Sequence, residues 1–461
     1  MCTILGHASV ITVDAQRRVI RDGAVAFEGD RILGVGTTEE IRRRFPEGDF
    51  RDMSRHVIMP GLVNAHVHLT QALIKGCADD CSLVDFLGNR VWRLMGHYDA
   101  DDARLSAELC LLDMIKGGTT TFVETLLAHH YGLPGITEAV VESGMRAFLA
   151  KSVMDRSTYA DRDDSLMDPG MVEDGDECIA EAIAWKEKSE NAGDGRIHIW
   201  LGPRPVGSST DVILKKVGDA AKAHDMGIAI HFCEVQEDVE TMKNVYHSDP
   251  GAFLEKMGIL TDRTVMAHCV WLTRADMKLL ARYGSTVAHC PASNAKLASG
   301  IAPVPAMLEE GVNVALGTDA GTCDNGYDMF DAMRLAAIIH KATTLDPMVV
   351  PAETVIEMAT INGAKAVGMA HEFGSLEEGK KADIITIDLN HPRIAPNTNP
   401  VSAVVYSAKA SDVDNVWIDG RAVVADRRVI SLNEQAILDR AYGRIDKVLT
   451  QAGVENRSRW E

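Results

Sequence analysis

The sequence lacks a long uninterrupted apolar segment. No apolar run approaches the roughly 20 residues that a helix needs to cross a bilayer. The first residues, MCTILGHASVITVDAQ, also lack the basic region, apolar core and cleavage site of a secretory signal. We therefore expect a soluble protein with a cytoplasmic location.

Positive charge is scarce. The chain has 47 Lys and Arg residues against 67 Asp and Glu residues, for a formal net charge of −20. This balance argues against nucleic acid or an anionic membrane surface as a partner. It excludes no small substrate, because a small molecule responds to the local field of its site.

Cysteines number nine in 461 residues, without the close spacing of small disulfide-rich domains. A disulfide framework is therefore not expected, and a reducing compartment is the better interpretation.

The residue pattern of the chain changes three times along its length, which predicts four segments. Residues 1–57 have the pattern of short strands, interrupted by a brief helix at TEEIRRRF, and residues 58–370 alternate strands with helices. Residues 371–430 return to short strands in KKADIITIDLN, VSAVVYSAK and VDNVWIDGRAVVADRRVI. Residues 431–461 contain an amphipathic helix, NEQAILDRAYGRIDKVLTQAG, expected to pack on the central segment or on another subunit.

Eight apolar, β-branched runs in the central segment predict its architecture. Strands that alternate with helices pair in parallel, and eight such units close into a (β/α)8 TIM-type barrel. We expect an α/β protein in which the strand-rich ends form one small β-sandwich beside the barrel. The runs are GLVNAHVH, TTTFVETL, MRAFLAKSV, RIHIWLGPR, GIAIHFCE, TVMAHCV, STVAHCPAS and NVALGTDA.

Histidines and acids recur at the ends of these runs. A single histidine in an apolar strand is more often a core residue, but a set at matching ends of neighbouring strands indicates a site at the carboxyl edge of the barrel. The set comprises His66 and His68 in the first run, His231 and Glu234 in the fifth, His268 in the sixth, His289 in the seventh and Asp319 in the eighth.

Imidazole and carboxylate groups together suit zinc or another borderline divalent ion, with Fe²⁺ and Ni²⁺ as alternatives. Three nitrogens and one oxygen would leave a coordination position for water, as catalytic sites do. The predicted ligands are His66, His68, His231 and Asp319. Cys233, Cys269 and Cys290 directly neighbour site residues, so strand alternation turns them away, and we interpret them as core thiols.

Several motifs together resemble the amidohydrolase superfamily, and in particular its adenosine and aminotriazine branch. That branch includes S-adenosylhomocysteine and methylthioadenosine deaminases and triazine hydrolases. The motifs are PGLVNAHVHL, HFCE, AHC, HCPASNAKLASGIAPVPAMLEEGVNVALGTD and GSLEEGKKADIITID.

The resemblance implies a hydrolase that uses one divalent metal ion to activate water for attack on a ring carbon. It implies that Glu234 shuttles protons between water, ring nitrogen and leaving group, and that His268 acts without binding the metal. Asp319 would both touch the metal and accept the proton of the attacking water. For His289 two interpretations stay open, a role at the site and packing. A homodimer or higher homo-oligomer is also implied.

Two departures from the branch concern the substrate, and one absence, relative to two-metal members of the superfamily, concerns the metal. The end of the fourth run, WLGPRP, has no lysine to bridge two metals, which favours one ion, and it has Arg204 where the deaminases have the histidine of PHAPY. Phe86, in SLVDFLGNRVW, stands where a tryptophan is usual. Arg204 would meet a carboxylate or carbonyl, or else form a salt bridge. The loop CDNGYDMFDAMRLA is expected to cover the pocket, and the predicted substrate contacts are Phe86, Arg204, His289 and Asn325.

The leading hypothesis is an aminohydrolase that deaminates an adenosine-type purine or an s-triazine-like ring, with a small heterocycle as its partner. An alternative within the same chemistry is hydrolysis of a ring halide or a cyclic amide. An alternative of another class is an inactive scaffold, which the retention of the metal-ligand set together with Glu234 and His268 disfavours.

Overall fold

The computed structural model describes residues 2–158, 167–204, 207–456 and 460. Its fold is α/β: a parallel barrel surrounded by helices, accompanied by a second sheet built from both ends of the chain. Among the helices described, none combines the length and the apolar character needed to cross a bilayer.

Strands are numbered in chain order. They are β1 (Thr3–Ile11), β2 (Val19–Glu28), β3 (Arg31–Thr37), β4 (Asp49–Asp52), β5 (His56–Pro60), β6 (Leu62–His68), β7 (Thr119–Leu127), β8 (Arg146–Val153), β9 (Ile197–Pro203), β10 (Ile228–Phe232), β11 (Thr264–His268), β12 (Thr286–His289), β13 (Asn313–Leu316), β14 (Asp319–Ala320), β15 (Ile384–Asp388), β16 (Val413–Ile418), β17 (Arg421–Ala425) and β18 (Arg428–Val429).

Helices connect most of the barrel strands, and shorter turns fill the loops. The α-helices of four or more residues are Thr38–Arg44, Trp92–Met95, Ala100–Lys116, Leu133–Ser143, Gly175–Ser189, Ala192–Gly195, Asp211–Ala223, Gln236–Val245, Pro250–Met257, Arg274–Tyr283, Pro291–Lys296, Val304–Glu309, Met329–Thr344, Ala352–Met358, Ile361–Ala366, Pro400–Tyr406 and Glu434–Ala452. The short or irregular turns are Leu69–Ile74, Leu83–Asp85, Phe86–Val91, His129–Tyr131, Pro169–Met171 and Ala410–Asp412.

The barrel closes through a broken eighth strand. Strands β6 to β13 pair in parallel in sequence order, and β14 returns to pair with β6, where Asp319 lies opposite Val67. β13 and β14 are two halves of one strand, separated at residues 317–318. A Cβ atom on Gly317 would lie 2.8 Å from the Cβ of His66, so only glycine allows this close approach. All eight predicted barrel strands are confirmed, as is the barrel.

Apolar side chains fill the barrel, which leaves the carboxyl edge for chemistry. The interior cluster contains small and large residues from neighbouring strands, among them Val63, Val123, Phe148, Trp200 and Ala315. Because these side chains occupy the interior as a packed core, a polar site can form only above them, in the loops that follow the strands.

The second sheet joins the two ends of the chain, as predicted. Its strands follow the order β18-β17-β16-β15-β5-β1-β2-β3, with β4 paired to β1. The prediction of a sandwich is refined here, because β15 pairs with β5 and so merges both ends into one continuous hydrogen-bonded sheet. β5 ends at Pro60 and β6 begins at Leu62, so a single residue separates the sheet from the first barrel strand.

A buried ion network fastens this sheet to the barrel. Arg146 on β8 pairs with Asp383 and with Asp419, and its Nη2 donates to Asp419 Oδ1 at 2.6 Å. All three side chains are buried. Removing one partner of such a network leaves an uncompensated buried charge, so the network fixes how the two sheets meet.

One predicted strand is wrong: VSAVVYSAK forms the helix Pro400–Tyr406. Asn399 caps it by accepting the N–H groups of Val401 and Ser402, and Pro400 occupies the first turn, where proline is tolerated. These capping signals outweigh the β preference of the valines. The predicted C-terminal helix is confirmed as Glu434–Ala452, and it packs on the helix Ala100–Lys116 through ion pairs such as that of Arg444 with Asp102.

Candidate active site

Four of the predicted side chains converge at the carboxyl edge of the barrel. His66 and His68 end β6 on the same face, as the period of a strand requires. The Nε2 atoms of both lie 3.3 Å from Asp319 Oδ1. The Nε2 atoms of His68 and His231 lie 3.2 Å apart. All four side chains are buried.

Neighbouring side chains fix the orientation of these groups. The Nδ1 atom of His66 lies 2.8 Å from Thr125 Oγ1, and Ser293 Oγ donates to Asp319 Oδ2 at 2.6 Å. Such outer contacts orient a ligand and set which ring nitrogen faces the centre.

Glu124 is a site residue that the sequence analysis missed. It is fully buried at β7, and its Oε1 lies 3.8 Å from His68 Nδ1. Its carboxylate accepts backbone N–H groups of Leu69, Thr125 and Leu126. Burial raises its pKa despite the nearby His68 ring and these bonds. A lone acid within the otherwise uncharged run TTTFVETL was the available signal.

Burial determines the charge state of the cluster. It lowers the pKa of His66 to about 4 and the pKa of His231 well below its ordinary value. Burial alone would raise the pKa of Asp319, but the His66 and His68 rings, whose Nε2 atoms lie 3.3 Å from its Oδ1, hold that pKa well below its usual range. The arrangement therefore combines the neutral imidazoles of His66 and His231 with the ionised carboxylate of Asp319, which is the state in which such groups bind a metal.

The spacing of the donor atoms fits a shared divalent ion. Ligands at about 2.1 Å from one tetrahedral ion lie about 3.4 Å from each other, close to the 3.2 and 3.3 Å observed here. Within the described chain, the buried His66 Nε2 has no hydrogen-bond partner. The potential ligand atoms of His66, His231, His268 and Asp319 also lie within 4.8 Å of one another. The residues present therefore fit a metal ion.

His268 and Glu234 lie beside this cluster. The Nδ1 atom of His268 is 2.9 Å from Asn294 Oδ1, and its Nε2 atom is 3.6 Å from Glu234 Oε2 and 3.9 Å from Asp319 Oδ2. Ser299 Oγ donates to Glu234 Oε1 at 3.4 Å. The carboxylate and the imidazole thus face each other across the space next to the cluster of His66, His68, His231 and Asp319.

The backbone is strained where these groups leave the strands. His268 and Asp319 have φ values of +70° and +63°, in the left-handed region that residues other than glycine rarely adopt. Cys233 and Cys269, which neighbour site residues in sequence, have φ values of +49° and +51°. Such strain is concentrated at functional sites, where surrounding contacts hold it.

A small cavity lies above the cluster, and we call it the inner cavity. Its volume is about 20 Å³, and its walls include His231, Glu234, Asp319, Arg204, Phe86 and Trp92. Arg204 is only 4% exposed, and its guanidinium lies 5.2 Å from the centroid of the Trp92 ring. The structure thus brings Arg204 and Phe86 to the site, and adds Trp92, which the sequence analysis did not single out.

Two further predicted contacts lie elsewhere. The Nε2 atoms of His289 and His340 lie 3.1 Å apart, and neither residue is among those that line the inner cavity. Asn325 is at the surface, where its amide bridges the Gly76 N–H and the Asp79 carboxylate.

The family model of the amidohydrolase family matches residues 57–423, which span the barrel and the C-terminal part of the second sheet. The chain belongs to the amidohydrolase family. It is 35% identical over 441 residues to a 5-methylthioadenosine/S-adenosylhomocysteine deaminase of Pelotomaculum thermopropionicum, covering 96% of this chain and 97% of the relative. It is 34% identical over 448 residues to a 5'-deoxyadenosine deaminase of Methanosarcina mazei, covering 97% and 98%.

A solved structure shows the same fold. An adenosine deaminase from Xanthomonas campestris with bound zinc superposes with a TM-score of 0.90 at 30% identity, covering 97% of this chain and 98% of that one. The predicted resemblance to this superfamily is confirmed. The chain is a metal-dependent hydrolase of the amidohydrolase family, and its cluster of histidines and aspartate suits a divalent ion such as zinc.

Proposed function

We propose that this amidohydrolase removes the amino group of an adenosine-type purine by hydrolysis, with one metal ion held by His66, His68, His231 and Asp319. The observation that carries the proposal is the convergence of these groups, 3.2–3.3 Å apart, beside Glu234 and His268. The names of the relatives and of the zinc-bound structure support the substrate class. A divalent ion bound there supplies a Lewis acid that makes water nucleophilic at neutral pH.

His268 is proposed as a positioning group and not as a ligand. Its nearest acidic oxygens lie at 3.6 and 3.9 Å, whereas His68 approaches both His231 and Asp319 within 3.3 Å. The contact with Asn294 holds the ring so that Nε2 faces Glu234 and Asp319. An imidazole in this position orients a small polar molecule between the two carboxylates.

Glu234 is proposed to move protons. Its Oε2 atom faces His268 and its Oε1 atom accepts from Ser299, so the carboxyl group lies on the wall of the inner cavity with both oxygens oriented. It can give a proton to a ring nitrogen as the attacked carbon becomes tetrahedral, and a second one to the departing ammonia. The balance of the reaction is one water consumed and one ammonia released, with the ring amino group replaced by an oxo group.

Arg204 and Phe86 are proposed to contact the substrate. A buried guanidinium presents several N–H donors in a fixed plane, so it recognises a carbonyl, carboxylate or other acceptor on the ring or its substituent. We also propose a cytoplasmic location and a homo-oligomeric state, as the sequence resemblance implies.

Ammonia release from a panel of rings tests the proposal. Metal-replete protein is incubated with adenosine, 5'-deoxyadenosine, 5'-methylthioadenosine, guanine, a pterin and an amino-s-triazine, with a chloro-s-triazine assayed for halide. We expect ammonia from at least one adenosine-type compound. Halide release alone, or no ammonia from any of the amino-substituted rings, would contradict deamination.

A further inference from the structure

A cavity lies where the second sheet meets the amino edge of the barrel, and we call it the junction cavity. Its volume is about 380 Å³, within the range of about 300–1,000 Å³ that small-molecule sites occupy. Its walls come from the β2–β3 turn at Gly29, the β16–β17 turn at Gly420 and the segment that precedes β9. Of the residues that the structure describes, none lines both this cavity and the inner cavity. The two spaces are therefore separate.

Backbone contact between the two turns shapes the junction cavity. Gly29 and Gly420 both have positive φ values, +59° and +69°. A Cβ atom on Gly420 would collide with the backbone oxygen of Gly29, so only glycine lets the two turns meet. A Cβ atom on Gly29 would meet no atom within 4 Å, so that side of the turn borders open space.

Arg196, on the wall of the cavity, is buried without close acceptors. It is 5% exposed, and its Nε atom has no hydrogen-bond partner in the part of the chain that the structure describes. Its Nη1 atom lies 3.7 Å from Asp419 Oδ2 and 3.9 Å from Asp194 Oδ2, beyond the hydrogen-bond distance of about 2.7–3.2 Å. A buried charged donor without an acceptor costs free energy, which an external acceptor would recover.

The neighbouring Arg146 shows how a satisfied guanidinium differs. Burial lowers the pKa of Arg146, but the Asp383 and Asp419 carboxylates that accept from it raise this pKa above its ordinary value. Burial also lowers the pKa of Arg196, and there the more distant Asp419 offsets the effect only in part. Because Asp419 already accepts from Arg146, it does not satisfy Arg196 as well.

The other charged walls restrict the kind of anion that fits. Lys381 pairs with Asp30 at 2.8 Å. Arg421 pairs with Asp194, also at 2.8 Å, so neither of these cations lacks an acceptor. A purely anionic ligand would add to an excess of negative charge, whereas a ligand that also carries a cationic group would not. The three wall cations face four wall carboxylates, which are Glu28, Asp30, Asp194 and Asp419.

We propose that the junction cavity binds a free α-amino acid, whose carboxylate accepts from Arg196 and whose ammonium group faces the Glu28 and Asp30 carboxylates. A guanidinium binds a carboxylate through two parallel hydrogen bonds, which supplies the acceptors that Arg196 lacks. The amino acid has no net charge, so the charge balance of the wall is preserved. This site goes beyond the proposed function, because its ligand is not the substrate. Bound between the two turns and the barrel, the amino acid stabilises their junction.

The first test measures binding of this ligand class. The full chain is titrated by calorimetry with each of the common L-amino acids, and its melting temperature is measured with each at millimolar concentration. At least one should bind at one molecule per chain and raise the melting temperature by a few degrees, because a ligand that binds only the folded state stabilises it. No binding by any amino acid would overturn the proposal, whatever the outcome of the ammonia assay.

Analogues of the amino acid that binds best test the need for both charges. The analogue without the amino group and the decarboxylated amine should each bind about tenfold more weakly than the amino acid, because each leaves one side of the wall without its partner. If either analogue bound as tightly as the amino acid, the assignment to a zwitterion would be wrong.

A matched pair of arginines tests the carboxylate end. Arg196 and Arg263 lie immediately before β9 and β11, but Arg263 pairs with Asp225 and does not line the cavity. Arg196→Met should weaken the Kd about tenfold or more, whereas Arg263→Met should leave it unchanged. Arg196→Lys, which keeps the charge without the planar fork, should bind with intermediate affinity. An unchanged Kd in Arg196→Met would overturn the site.

A second pair of variants tests the ammonium end and leaves the buried arginine in place. Glu28 and Glu47 are both exposed, but only Glu28 lines the cavity. Glu28→Gln should weaken the Kd severalfold, while Glu47→Gln, with the same change in net charge, should not. This pair decides the question even if Arg196→Met does not fold. Equal Kd values in the two variants would contradict the proposed position of the ammonium group.

Discussion

At the scale of single residues, Glu234 is the group whose role is most separable from metal binding. Its oxygens contact Ser299 and His268, while the close contacts at 3.2–3.3 Å join the other acid and the three histidines. Glu234→Gln should therefore retain the metal and lose about 10²- to 10⁴-fold in kcat, because an amide cannot carry the proton. Metal analysis and steady-state ammonia release measure the two effects. Full activity in this variant would remove the proton shuttle from the mechanism.

His68 and His268 form a second comparison at this scale. Both rings are buried beside Asp319, yet only His68 lies within 3.3 Å of two other potential ligands. His68→Ala should abolish bound metal, whereas His268→Ala should keep close to one ion per chain and lose activity. Equal metal loss in both variants would make His268 a ligand and contradict the proposed set.

The sequence revealed these residues because polar side chains stand out in apolar strands. The supporting residues were not recognisable in the same way. Thr125 and Asn294 matter only through partners 59 and 26 positions away in the chain, His66 and His268. No local pattern marks such a pair, because the closure of the barrel creates it.

At the scale of elements, the alternation of short apolar runs with capped helices was sufficient to predict the barrel strands. The valine-rich composition of VSAVVYSAK predicts a strand, but the Asn399 cap and the proline that follows it start the helix Pro400–Tyr406 there. The break in the eighth strand was also not predicted, since it depends on how closely Gly317 can approach His66.

The helix Met329–Thr344 carries a pH-sensitive contact. Burial lowers the pKa of His340 from 6.5 to about 4, and its ring lies against His289 at the end of β12. In the unfolded chain His340 binds a proton near pH 6.5, so the folded state loses stability as pH falls from about 6.5 to about 4. Over that pH range His340 alone lowers the free energy of unfolding by about 3 kcal/mol.

Replacing this histidine should flatten the dependence. The free energy of unfolding in urea is compared at pH 7 and pH 5 for the natural chain and for His340→Gln. We expect a smaller loss on acidification in the variant, because glutamine does not titrate. Parallel losses in the two proteins would show that His340 contributes nothing to acid sensitivity.

At the scale of the whole molecule, the proposed metal ligands connect distant parts of the barrel. They lie on β6, β10 and β14, so an ion bound by them would join the first, fifth and eighth strands. Chelation of the metal should lower the melting temperature by several degrees, since an ion that binds only the folded state stabilises it. Scanning calorimetry before and after adding zinc back measures the effect. An unchanged melting temperature after complete metal removal would contradict this structural role.

Because both ends of the chain form one sheet, that sheet can be completed only late in synthesis on the ribosome. The edge of β5 that pairs with β15 stays uncovered until residues 384–388 emerge, long after the strand itself has been made. An uncovered edge is a template for wrong pairing. The edge of β5 therefore stays exposed in the nascent chain while the entire barrel is translated. Pairing of β15 with β5 then covers this edge and protects it from aggregation.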